Sequence, residues 1–176
     1  SEMCIRDRYE LGNIYLPKQV PVTELPEERM QFTLGMYGEG DFFTMKGVIE
    51  EFLYKAGMKL KPEYDPEAGK PFLHPGRQAN VVYDGTVIGY LGEVHPTVAA
   101  NYAIKERVYV AVLDMPEIVS RASFDHKYEG IAKFPAAARD ISMVVPKKVL
   151  AGDIEKIFDE KGGQFLEKYD LFDIYE

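Results

Sequence analysis

The stretch Ala79-Asn-Val-Val-Tyr-Asp84-Gly85-Thr-Val-Ile-Gly-Tyr-Leu91 decides the fold class. Two runs rich in Val, Ile and Tyr flank Asp84-Gly85, the dipeptide favoured by a two-residue type I′ turn because both central residues need positive φ. The stretch therefore reads as a β-hairpin. Upstream, residues 9–16 and 30–36 read as strands, separated by a Pro-rich connection over 17–26. Between those strands and the hairpin, Phe42, Met45, Ile49, Phe52, Leu53 and Ala56 recur at three- and four-residue steps, which predicts a helix over 41–56. Asp41 suits its N-cap and Gly57 the position just past its end.

Downstream of the hairpin, Pro96 suits the first position of a short helix whose buried stripe is Val98, Ala99, Tyr102 and Ala103. A strand over 107–114 and a short helix over 116–121 follow. Residues 122–133 lack periodicity and read as a linker. Past it, 140–145 reads as a strand, Leu150, Ile154, Ile157 and Phe158 mark one face of a helix, and 164–175 is an extended run. The expectation is an α+β protein: an antiparallel or mixed sheet with helices over 9–121, then a β-α-β module over 134–176.

Composition narrows the function classes. With 176 residues, 46% of them hydrophobic and 28% charged, the chain has the make-up of a globular protein rather than a disordered one. Its one cysteine, Cys4, can form no internal disulfide, which favours a reducing, cytoplasmic setting. The net charge of −8 is the wrong sign for a chain that grips a phosphate backbone along its length. No apolar run reaches the roughly 18 residues of a membrane span.

The candidate chemistry is sparse. Gly35-Met-Tyr-Gly38-Glu-Gly40 sits between a strand and a helix, but its spacing fits neither nucleotide motif, and Glu39 and Asp41 would repel a phosphate. His74-Pro75-Gly76-Arg77 and Glu93-Val94-His95-Pro96 could meet as an acid/base or metal site; each His precedes a proline, which favours a histidine satisfied within a turn. Arg77 reads as an interface residue or one half of an intramolecular ion pair. Glu50-Glu51 and Asp159-Glu160 read as solvated helix faces, and no G-x-S-x-G elbow occurs. No catalytic residue and no metal site is expected in this chain. Lys133, Arg139, Lys147 and Lys148 gather near Phe134 and are the candidates for touching RNA.

Six ordered blocks carry a resemblance: Tyr9-Glu-Leu-Gly-Asn-Ile-Tyr, Gly35-Met-Tyr-Gly, Asp41-Phe-Phe-Thr-Met-Lys-Gly, Phe72-Leu-His-Pro-Gly-Arg-Gln-Ala, Ile88-Gly-Tyr-Leu-Gly-Glu-Val-His-Pro and Phe134-Pro-Ala-Ala-Ala-Arg-Asp-Ile-Ser. Together they resemble the C-terminal part of bacterial phenylalanyl-tRNA synthetase β subunits. The resemblance implies that 9–121 is part of a class II synthetase-like core that has lost catalysis and packs against the α subunit. It implies that 134–176 is the first half of a ferredoxin-like anticodon-binding domain. In that family an α2β2 heterotetramer joins phenylalanine to tRNA(Phe) using ATP and Mg2+, neither of which this chain is expected to bind.

On this reading Phe72, His74 and Arg77 are candidates for the subunit contact, and Lys133, Arg139, Lys147 and Lys148 for tRNA contact. Residues 1–8 do not fit the family; they resemble translated adaptor read-through and are read as a non-native leader. With only half of a ferredoxin-like fold, the strand over 140–145 is expected to lack both neighbours and to be loosely held. Two other classes of function compete. One is a stand-alone acidic protein-interaction module with no RNA role. The other is a metal-dependent hydrolase, which requires His74, His95 and Glu93 to converge.

Overall fold

A computed structural model describes residues 6–123 and 135–175, which fall in two units divided after His126. The first unit is built on a six-stranded sheet of β1 (Arg6–Leu16), β2 (Glu27–Tyr37), β3 (Glu63–Asp65), β4 (Leu73–Tyr83), β5 (Thr86–Val94) and β6 (Val108–Asp114). Their spatial order is β1-β2-β6-β5-β4-β3, and every neighbouring pair is antiparallel. Of the two sheet types open from sequence, the antiparallel one is observed. Residues 6–8 pair with 35–37 and begin β1. The short strand β3, at the far edge, has no counterpart among the expected elements.

The Asp84-Gly85 hairpin forms as predicted. Asp84 and Gly85 take φ of 48° and 72°, and Tyr83 pairs with Thr86 across the turn. One residue into the ladder the register slips: Val82 pairs with Val87 but Val81 with Gly89, so Ile88 is the extra residue of a bulge. The bulge turns Ile88 fully into the core, while Val87 stays more than half exposed.

Helix α1 (Phe42–Lys55) covers one face of this sheet. Its start is a capping box: the Asp41 carboxylate accepts from the Thr44 N–H at 2.7 Å, and Thr44 Oγ1 accepts from the Asp41 N–H at 3.3 Å. Two hydrogen bonds donated by Thr44, from its N–H and from its hydroxyl at 2.8 Å, hold the Asp41 carboxyl below the usual carboxylate range. Its end is a Schellman motif, in which Met58 N–H reaches the Leu53 carbonyl at 3.1 Å and Gly57 N–H the Tyr54 carbonyl at 3.0 Å. Gly57 supplies the positive φ of 82° that the motif requires.

Strand register decides what the helix meets. Phe32 with Leu113, Leu34 with Ala111 and Met36 with Tyr109 line up one face of β2 and β6, and Leu91, Ala79 and Val81 continue it on β5 and β4. Met45, Ile49 and Leu53 of α1 close over this face in a single buried cluster. Full burial of an Ile or Leu side chain stabilises by about 1.5–3 kcal/mol. Two short helices finish the unit, α2 (Pro96–Asn101), with Pro96 at its first position as expected, and α3 (Met115–Arg121). α3 is tied to the sheet by Ile118, which is buried, and by an Arg121 hydrogen bond to Thr86 Oγ1 at 3.1 Å.

The second unit differs from expectation. The predicted helix is present as α4 (Ala151–Lys161), followed by a 3-10 turn over Gly163–Phe165. The strands expected over 140–145 and 164–175 are not strands; among the described residues this unit has none. A strand exists only where a neighbour accepts and donates its ladder hydrogen bonds, and no described segment of the unit does so. Ile141, Met143, Val144 and Val145 are accordingly exposed, as are Leu171, Phe172 and Ile174. Among the described residues no helix is long and apolar enough to cross a membrane.

Candidate interaction site

Residues 72–77 form the least regular part of the sheet. Leu73 pairs with Val94 and Gln78 with Gly92, so five steps along β4 are matched by two along β5, and residues 74–77 bulge from the ladder. Two local bonds hold this bulge. His95 N–H donates to the Phe72 carbonyl at 2.8 Å, and the His74 ring accepts at Nδ1 from the Gly76 N–H at 3.1 Å. The second histidine is used in the same way: His95 Nδ1 accepts from the Thr97 N–H at 3.2 Å and caps α2. Both rings are satisfied by the turns that follow them, as their place before a proline suggested.

Arg77 emerges from the bulge and meets Glu93. Its Nη1 lies 3.0 Å from Glu93 Oε2, which also accepts from the Tyr109 hydroxyl at 3.4 Å. Arg107 Nε stands 4.0 Å from the other oxygen, Oε1. The carboxylate side chain is 4% exposed, whereas Arg77 and Arg107 are 41% and 66% exposed. Of the two roles the sequence left open for Arg77, the intramolecular ion pair is observed.

Phe72, His74 and Arg77 share one segment, in which Phe72 and Arg77 meet different neighbours. The Phe72 ring stands edge-on to Tyr90, with centroids 6.1 Å apart, and Lys70 Nζ lies 4.6 Å over the same Tyr90 ring. Tyr90 alternates away from Leu91 and so occupies the face opposite α1; burial there pushes its hydroxyl pKa up. Arg77, in contrast, reaches Glu93, which pairs in register with Tyr109 on the face that carries α1.

The remaining candidates divide as follows. Among the described residues no three His, Cys, Asp or Glu side chains converge as a metal site, which removes the hydrolase built on His74, His95 and Glu93. The Gly35–Gly40 turn does not fit nucleotide phosphates. The Asp41 carboxylate already occupies the N-terminus of α1, and a Cβ at Gly40 would lie 2.5 Å from Met36 Sδ, so the turn is packed against its own strand.

In the second unit Arg139 is exposed and donates to the neighbouring Ala138 carbonyl at 2.8 Å. Lys147 and Lys148 are exposed at the centre of one turn, closed by Val149 N–H to the Pro146 carbonyl at 3.0 Å, just ahead of α4. Lys133 and Phe134 lie outside the described residues.

Comparison with known proteins places the sheet and helices of the first unit. Residues 7–115 match the family described as "Phenylalanyl tRNA synthetase beta chain CLM domain". The chain belongs to this family. Residues 132–176 match a second family, "Ferredoxin-fold anticodon binding domain". A phenylalanine–tRNA ligase beta subunit of Clostridium acetobutylicum is 40% identical over 168 residues, and one of Bacillus subtilis 34% identical over 178. Each match takes in 96% of this chain but only 21% and 22% of the relative, so the chain spans about a fifth of their length. Among solved structures, a pyrrolysyl-tRNA synthetase from Desulfitobacterium hafniense aligns with 64% of this chain and 40% of its own, at a TM-score of 0.49 and 11% identity. The beta-subunit relatives lend no support to a stand-alone acidic interaction module.

Proposed function

We propose that the chain serves as a non-catalytic part of a phenylalanine–tRNA ligase β subunit, supporting the attachment of phenylalanine to tRNA(Phe). The observation that carries this is the succession, in one chain, of a beta-chain CLM match over 7–115 and an anticodon-binding match over 132–176. On this reading the first unit is part of a class II synthetase-like core that packs against the catalytic α subunit in an α2β2 enzyme. Residues 72–77, with Phe72, His74 and Arg77, form part of that contact. ATP and Mg2+ are handled by the α subunit. That division agrees with a Gly35–Gly40 turn filled by its own Asp41. The single cysteine favours a cytoplasmic setting.

The second unit places the tRNA through Lys133, Arg139, Lys147 and Lys148. Lys147 and Lys148 are the strongest pair, because one turn presents both to solvent. The experiment is aminoacylation by a complete enzyme whose β subunit carries this segment. Replacing Lys147 and Lys148 by Ala is expected to weaken tRNA binding and to lower the slope of log affinity against log salt by about one unit per lysine. An unchanged slope dismisses the two lysines. Full charging activity from an enzyme lacking the whole segment dismisses the functional reading.

A further inference from the structure

Glu93 is the one polar or charged residue among the buried described residues, at 3% exposure. A carboxylate removed from water is costly unless it is paired and hydrogen-bonded. Here the pairing is lopsided. Arg77 and Tyr109 share Oε2 at 3.0 and 3.4 Å, and Arg107 approaches Oε1 at 4.0 Å, so two positive charges stand over one negative charge. The negative charge lies inside, and both guanidinium groups reach solvent.

Arg77 commits one N–H to Glu93 among the described residues, out of the five that a guanidinium carries. Its backbone is set as well, because the His74 ring closes the bulge on the Gly76 N–H immediately before it. The outcome is an oriented arginine fork beside a second arginine, on a chain whose net charge is −8.

We propose that Glu93 is a positioning residue that holds Arg77 and Arg107 as a two-pronged clamp for a carboxylate side chain of the catalytic α subunit. This rests on the reading in which residues 72–77 contact that subunit. A planar fork matches a carboxylate in two parallel hydrogen bonds. A nucleic-acid backbone is a poorer occupant: its affinity is built up by neutralising many phosphates, and two arginines on an acidic chain neutralise few. Arg107 enters the site only through the fold, since it begins a different strand region from Arg77.

The test uses the complete enzyme carrying this segment in its β subunit, with dissociation of α from β followed by sedimentation at low and high salt. Glu93→Gln makes the patch more positive by one charge. If charge alone drew the partner, association would tighten; the clamp requires it to weaken about tenfold, because a neutral amide gives up the charge-assisted hold on Arg77 and Arg107. Arg77→Ala with Arg107→Ala is expected to weaken association at least about tenfold at low salt and to flatten its salt dependence. Arg77→Lys keeps the charge and the salt dependence but loses the fork, and falls between wild type and the double variant.

Tighter or unchanged association of Glu93→Gln overturns the clamp, as does an unchanged salt dependence in the double arginine variant, a readout that a merely structural role would leave alone. Phe72→Ala separates the two levels of the reading. If it weakens association while the arginine variants do not, the clamp alone is wrong. If neither Phe72 nor the arginines matter, the contact through residues 72–77 is wrong and the clamp falls with it. If the arginine variants lower tRNA affinity and spare assembly, the occupant is a phosphate and the clamp is overturned.

Discussion

Helices α1 and α4 carry the same kind of sequence pattern and meet different fates. Each shows apolar residues at three- and four-residue steps, and each ends near glycine. α1 lands on a sheet face formed by four strands and buries Met45, Ile49 and Leu53. α4 buries no residue: Ile157 remains 59% exposed, and Phe158 finds one ring partner, Tyr169, at 5.4 Å. Amphipathicity proposes a helix, but burial against a second surface supplies most of its stability. Ile157 of α4 and the apolar side chains of 141–145 and 171–174 stay exposed alike.

The largest expected effect tests this directly. Amides of α1 exchange only through opening of the whole first unit, and those of α4 through local opening, so α1 protection should exceed that of α4 by orders of magnitude in native-state hydrogen exchange. Equal protection would break the comparison. Substitution gives the same contrast in unfolding experiments: Leu53→Ala should cost about 2–5 kcal/mol, and Ile157→Ala should stay within about 0.5 kcal/mol, as surface changes do.

The glycines sharpen it with a change of sign. A Cβ at Gly57 would lie 2.2 Å from the Ser123 carbonyl oxygen, at a φ of +82°. Gly57→Ala should therefore destabilise the first unit by about 1–3 kcal/mol. Gly152, inside α4, has nothing within 4 Å of the same position. There, Ala removes the entropic handicap of glycine in a helix, and Gly152→Ala should raise α4 helicity, a gain of about 0.5–1 kcal/mol by helix propensity. Circular dichroism through a thermal ramp reads both.

These two regions also mark how far the sequence carries. Local signals were sufficient wherever the chain closes its own hydrogen bonds: Asp84-Gly85 gave the turn, Asp41 and Gly57 the two ends of α1, and Pro96 the start of α2. Sheet partners were legible where a hairpin imposed them. The Arg77–Glu93 pair was not, for a definite reason. A two-residue hairpin with an unbroken register sets Gly92 opposite Arg77; the extra residue Ile88 shifts the ladder by one, so that Gln78 pairs with Gly92, and Arg77 then leaves the ladder in the second bulge and reaches Glu93 by its side chain. No residue in Val87-Ile88-Gly89 announces that bulge except Gly89 itself. Arg107 and Tyr109 join the site through β6, which no local pattern could align with β5. The strands expected over 140–145 and 164–175 failed in the opposite way: their composition is strand-like, but strand formation depends on neighbours that composition cannot supply.

The subtlest contrast lies at the two helix starts. Asp41 caps α1 with its carboxylate, whereas the N-cap of α4 is Leu150, which has no side-chain acceptor, and Asp153 instead receives the Leu150 N–H at 3.3 Å. Asp41→Ala should cost about 0.5–2 kcal/mol. Because the Thr44 hydrogen bonds lower the Asp41 pKa in the folded state, its contribution is fully present above the ordinary carboxylate range. It is lost as pH falls through the depressed folded value, when the carboxylate is protonated. Chemical denaturation at a series of acidic pH values should therefore show the difference between wild type and Asp41→Ala shrinking as the pH drops. The reciprocal change, Leu150→Asp, gives α4 the cap it lacks and should raise its helicity at neutral pH, by an amount that also fades in acid. A Leu150→Asp gain that persists undiminished at low pH would mean that relief of an exposed leucine, not capping, had stabilised the helix.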